Sequence, residues 1–160
     1  LHGPAAAAWR RRRDDRAETE SLERWVARTR EALPTVRILQ TQAEPTSDAD
    51  GPAGWRFLAR IDPGRLPAED LDVELYADPP GGRQVPTVVE MPVVAAEDGL
   101  VRCEATVATN RPWTDFTVRV RPAGPEGLLE IERPVIAWGD PPVLHAEASS
   151  RPAGLAAVRA

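Results

Sequence analysis

The stretch NRPWTDFTVRV, residues 110–120, decides how the chain is to be read. An Arg-Pro pair and an indole lead into Phe116, Val118 and Val120, set at every second position against Thr117 and Arg119. A period of two places alternate residues on opposite faces of a strand, so this segment predicts a half-polar β-strand with a turn at its entrance. Pro112 fixes its own φ and pushes Arg111 into extended backbone. Asp115 can accept hydrogen bonds from nearby amides or pair with Arg111 or Arg119.

The same alternation recurs on both sides. WRFLARI (55–61) puts Trp55, Phe57, Ala59 and Ile61 on one face and Arg56 and Arg60 on the other. LDVELYA (71–77) sends Leu71, Val73 and Leu75 inward, while Asp72 and Glu74 point out. LVRCEATVAT (100–109) alternates Val101, Cys103, Ala105 and Val107 with Arg102, Glu104 and Thr106. Further strands are expected in TVRILQT (35–41), in VPTVVEMPVV (85–94), where two prolines restrict pairing, and in LLEIERPVIAWG (128–139), where Pro134 marks a bend. TQAEPTSDADGPAG, from residue 41, reads as an exposed polar loop and DPPGGR, from residue 78, as a turn. Seven short strands at even spacing predict an all-β, antiparallel, immunoglobulin-like sandwich over residues 34–139.

Residues 1–33 follow a different period. Leu22, Trp25, Val26, Thr29 and Leu33 recur at spacings of three and four, one apolar stripe on a helix, with Asp15 and Glu18 at capping-box spacing and Pro34 as its end. The alanines after Pro4 predict a further short helix, so one or two N-terminal helices precede the sandwich. Residues 140–160 are small and aperiodic and are expected to form a flexible tail.

Composition excludes several chemistries. The 160-residue chain has 20 basic residues, all arginine, so no lysine is present to form a Schiff base with a carbonyl substrate or with pyridoxal phosphate. Cys103 is the only cysteine, which rules out an intramolecular disulfide or a cysteine zinc cluster and favours a reducing, cytoplasmic setting. No apolar run is long enough for a membrane span. The RRRR run at 10–13 is followed by aspartates within a chain of net charge −5, which opposes nucleic-acid binding. His2 and His145 have no catalytic or metal-ligating spacing, and Glu69, Asp70, Asp72 and Glu74 read as a solvated face. Trp25, Trp55 and Trp138 share faces with core residues, leaving Trp113, in a loop, as the candidate platform for a sugar ring. The chain begins at Leu1 and is expected to be part of a longer polypeptide.

DLDVELYAD, RPWTDFTVRVRP and LLEIERPVIAWGD together resemble the carboxyl-terminal region of short-type bacterial and archaeal α-glucan phosphorylases. The matching positions are Val73, Glu74, Leu75 and Tyr76; Arg111, Pro112, Asp115, Phe116, Thr117 and Arg119; and Glu130, Ile136 and Trp138. Three departures stand out: Phe116 replaces a tyrosine, Trp113 a small residue, and RPAGPEGLLE is shorter than the usual loop. The resemblance implies an accessory β-module behind a catalytic glycosyltransferase body that uses pyridoxal phosphate to phosphorolyse α-1,4-glucan to glucose 1-phosphate. It implies that body as partner, with α-1,4-glucan as a further contact. On this reading the chain holds no catalytic, cofactor-binding or metal-binding residue.

Overall fold

A computed structural model describes residues 3–46, 53–81, 85–124 and 137–145, with helix side chains from residue 15. One α-helix, α1 (Gly3–Ala32), leads through a 3-10 turn at Leu33–Thr35 into strands β1 (Arg37–Thr46), β2 (Gly54–Asp62), β3 (Leu71–Ala77), β4 (Thr87–Glu90), β5 (Val93–Glu97), β6 (Leu100–Ala108), β7 (Phe116–Pro122), β8 (Ala137–Trp138) and β9 (Val143–Leu144). Two sheets form, ordered β5-β6-β2-β1-β9 and β4-β3-β7-β8. Their inner faces share one core, in which Phe57 of β2 meets Phe116 of β7 with ring centroids 5.2 Å apart.

The inward sets match the alternation read from the sequence. Phe57, Ala59 and Ile61, then Val73 and Leu75, then Val101, Cys103 and Ala105, then Phe116, Val118 and Val120 are all buried. Burying these apolar faces against one another is the main driving force for joining the sheets, at about 25 cal/mol per Å² removed from water.

Four features differ from the sequence reading. The helix is one continuous element. Asp15 lies inside it, with its carbonyl accepting from the Thr19 hydroxyl at 2.8 Å, because the alanines and arginines before it sustain helix instead of ending it. β1 runs on to Thr46, past the expected loop start. A register shift between Ile38 and Gln40 changes which parity faces inward, so Val36 is buried before the shift and Thr41 and Ala43 after it. Gln42 and Glu44 then lie on the outer face, and their polarity made a strand read as a loop.

VPTVVEMPVV is two strands in different sheets. Pro92 has no N–H to continue the ladder, so the chain steps across at the 91–92 peptide. The Met91 amide still donates to the Val73 carbonyl at 2.8 Å, while the Pro92 carbonyl accepts from the Glu104 amide at 3.2 Å. Met91 is thereby buried between the layers.

Finally, two residues of the expected tail are ordered: Val143 and Leu144 pair with Gln42 and Ala43 in parallel, an exception in an otherwise antiparallel arrangement. Of the last predicted strand, only Ala137 and Trp138 pair among the described residues, and Glu130 lies outside them.

The helix joins the body at its C-terminal end. Thr29, Ala32, Leu33 and Val36 are buried, whereas Leu22, Trp25 and Val26 are half-buried. The Thr35 hydroxyl donates to the Ala32 carbonyl at 2.6 Å and accepts from the Arg65 amide at 2.8 Å. Gly64 sits against Thr35 with φ +57°, where any Cβ would strike the Thr35 backbone; only glycine meets both conditions. No helix among the described residues is long and apolar enough to cross a membrane.

Candidate functional site

Most of the residues singled out by the sequence fall into two clusters on the β4-β3-β7-β8 sheet. On its outer face, Glu74 of β3 stands opposite Arg119 of β7, which stands opposite Trp138 of β8. Arg119 Nε and Nη2 both lie 2.7 Å from Glu74 Oε2, and Arg121 Nη1 lies 3.6 Å from Glu74 Oε1. The Arg119 guanidinium also lies 4.6 Å from the Tyr76 ring centroid and 5.6 Å from that of Trp138. Tyr76 and Trp138 meet edge to face at 5.4 Å. Arg119 is only 9% exposed and Arg121 3%, so the ion pairs with Glu74 are nearly dry although they occupy the outer face of a sheet. Thr117 flanks it opposite Tyr76.

The Tyr76 hydroxyl donates to Asp78 Oδ1 at 3.0 Å. That hydrogen bond, with some desolvation and the carboxylate's charge, holds the phenol above its ordinary pKa, and Arg119 opposes the shift.

The second cluster closes the entrance of β7. The Pro112 carbonyl accepts from the Asp115 amide at 3.1 Å and caps a 3-10 turn over Trp113–Asp115. Arg111 Nε donates to Asp115 Oδ2 at 3.0 Å and Nη2 donates to the Asp78 carbonyl at 2.8 Å, with the guanidinium 5.5 Å from the Phe116 ring centroid. Trp55 Nε1 donates to the Arg111 carbonyl at 2.9 Å, tying this turn to the other sheet. Asp115 therefore takes Arg111, and Arg119 takes Glu74.

Of the tryptophans, Trp138 departs from its expected place. Trp113 is half-buried and packs against the core as a lid on the turn. Trp138, expected on a core face, is 53% exposed on the outer face. Its strand was visible as alternation, but alternation alone does not say which of two faces is inner.

The acidic run is divided in the same way: Glu74 serves the two arginines, Asp72 stands in register with Arg121, and Glu69 and Asp70 lie in a 3-10 turn. Among the described residues no group of three His, Cys, Asp or Glu could hold a metal ion. Cys103 is fully buried, and desolvation pushes its thiol up to about 11, so it is no nucleophile at neutral pH.

The other sheet carries a different outer surface. Arg56 of β2 donates to both oxygens of Glu104 at 2.6 and 2.9 Å and reaches Glu44 at 3.5 Å. This pairing, more than desolvation, sets the Glu104 carboxyl, which lies below its ordinary pKa. Further along, Arg60 and Arg102 stand directly opposite each other. Both line a cavity of about 240 Å³ with Ala95, Glu97, Asp98, Leu100 and Val101. Each arginine was legible as a polar-face residue; their juxtaposition depends on the β2–β6 register, which no local pattern supplies. No family model, curated protein or solved structure matches the chain.

Proposed function

We propose that the chain is a non-catalytic accessory domain, an immunoglobulin-like β-sandwich, of an α-glucan phosphorylase-like enzyme. There it packs in the cytoplasm against the glycosyltransferase body, and its work is architectural. The observation that carries this reading is the way the resemblance residues are used. Glu74, Tyr76, Arg119 and Trp138 engage one another, as do Arg111, Asp115 and Phe116, so the shared motif describes a framework and leaves few polar groups to meet a substrate. The absence of lysine assigns pyridoxal phosphate, and the phosphorolysis that depends on it, to the partner body. Contact with α-1,4-glucan is secondary, since Trp113, the residue first matched to a sugar ring, is half-covered by its own core.

An antibody against this chain tests the reading on extracts of its source cells. The expected product is a polypeptide several times longer than 160 residues that carries bound pyridoxal phosphate and whose peptides include a lysine-bearing glycosyltransferase body. A free chain no longer than this one would overturn it. Calorimetric titration of maltoheptaose into the isolated chain separates the two roles: silence fits the architectural role, and saturable heat shows that the domain positions glucan.

A further inference from the structure

The structure assigns a second, independent site: we propose that Arg60 and Arg102 form a receptor for a phosphate monoester carried on a small hydroxylated body. Like charges directly opposite on adjacent strands destabilise a sheet, and elsewhere on these outer faces each central arginine is matched by a carboxylate. Arg56 holds Glu104 bidentately and Arg119 holds Glu74. Arg60 and Arg102 are in register with each other, and neither is within ion-pair distance of a carboxylate among the described residues. Arg102 is drawn to Glu104 through space, but both oxygens of that carboxylate already bond Arg56.

Arg60 and Arg102 line the same cavity from directly opposite positions on β2 and β6, and a pair of guanidinium forks suits the tetrahedral oxygens of a phosphate, which arginine binds bidentately. The cavity's roughly 240 Å³ exceeds what the oxyanion alone would fill, equivalent to about eight water molecules at 30 Å³ each. Glu97 and Asp98, at the β5–β6 turn, also line it; they would repel a second anion and accept hydrogen bonds from hydroxyl groups. Asp98 and Gly99, with φ of 53° and 76°, form this tight turn. Ala95 and Leu100 supply apolar wall. This inference does not rest on the glucan reading, because the site and its test concern this chain alone.

The test is thermal unfolding and amide NMR of the chain with inorganic phosphate, glycerol 2-phosphate, glycerol, and sodium chloride at matched ionic strength. The expected result is a rise in Tm of about 3–5 °C at tenfold excess over the dissociation constant. The two phosphates produce it, glycerol 2-phosphate at lower concentration, while glycerol and chloride do not. Amide shifts should be confined to residues around Arg60 and 97–102.

Arg60→Gln and Arg102→Gln should each abolish the rise while leaving Tm in phosphate-free buffer equal or higher, since a repulsion is removed. Arg56→Gln, which lowers Tm, should retain the full response. Equal stabilisation by chloride, persistence of the rise in both variants, or no rise with either phosphate overturns the proposal. A response to inorganic phosphate with no preference for glycerol 2-phosphate overturns the hydroxylated body.

Discussion

The two sheets carry the same device on their outer faces, a cross-strand arginine–glutamate pair, in very different surroundings. Arg119 and Glu74 have side chains 10% and 12% exposed, with two aromatic rings against the guanidinium; Arg56 and Glu104 are 43% and 26% exposed. Geometry does not separate them, since both make hydrogen bonds below 3 Å. Solvent does. A buried pair owes its energetics to the cost of stranding one partner, whereas an exposed pair is screened and each partner can return to water. The first pair belongs to the framework, and the second leaves its surface open to ligands and salt.

The most damaging way to probe this contrast is Glu74→Ala. It leaves Arg119, 9% exposed, without the carboxylate it holds at 2.7 Å, at an expected loss of about 3 kcal/mol and a Tm lowered by about 6–12 °C. A change under about 2 °C by calorimetry would erase the distinction between the faces.

Asp115→Ala removes an ionic hydrogen bond at the β7 entrance. A lost charged hydrogen bond costs about 1.5–3 kcal/mol. With Asp115 37% exposed, the lower end is expected, and chemical denaturation should show it as a shifted midpoint with unchanged slope.

Within the core the sign reverses. The Thr41 hydroxyl is buried and has no hydrogen-bond partner among the described residues, so Thr41→Val should stabilise by about 1 kcal/mol, read in the same denaturation experiment. A loss of stability there would mean that the hydroxyl has a bound water.

Glu104→Ala should cost less than about 1 kcal/mol and the loss should shrink in high salt, unlike that of Glu74→Ala. The pH dependence has a definite direction. The folded-state pKa of Glu104 is lowered, so its contribution is complete above the ordinary value of 4.5 and disappears as pH falls through the folded value. The difference in Tm between wild type and Glu104→Ala should therefore close in acid.

The smallest effect is spectroscopic. Tyr76 is the only tyrosine, so near-ultraviolet absorbance titrates it alone, with a midpoint above 10.0 that Asp78→Asn should bring down.

Period-two alternation made β2, β3, β6 and β7 legible, because each has one face in the core. It failed where inward parity changes along a strand, as at Ile38–Gln40, and where one apolar run serves two layers, as across Met91 and Pro92. The polar framework was half visible. Arg111 and Asp115 are four residues apart and could be paired by eye, whereas Glu74 with Arg119 and Arg60 with Arg102 meet only through strand register. Trp138 was misplaced for a related reason: its neighbours decide which face is wet, and they come from β3 and β7.

The junction at Thr35 has a mechanical consequence. A helix of 30 residues spans about 45 Å, and the buried residues of this one, among those described, are Thr29 and Ala32 in its last turn. Each degree of rotation at that junction would swing the far tip by roughly 0.8 Å. The hydroxyl of one threonine and the missing side chain of one glycine thus set the aim of a lever, so that small displacements at its tip become torque on the turn that follows β2.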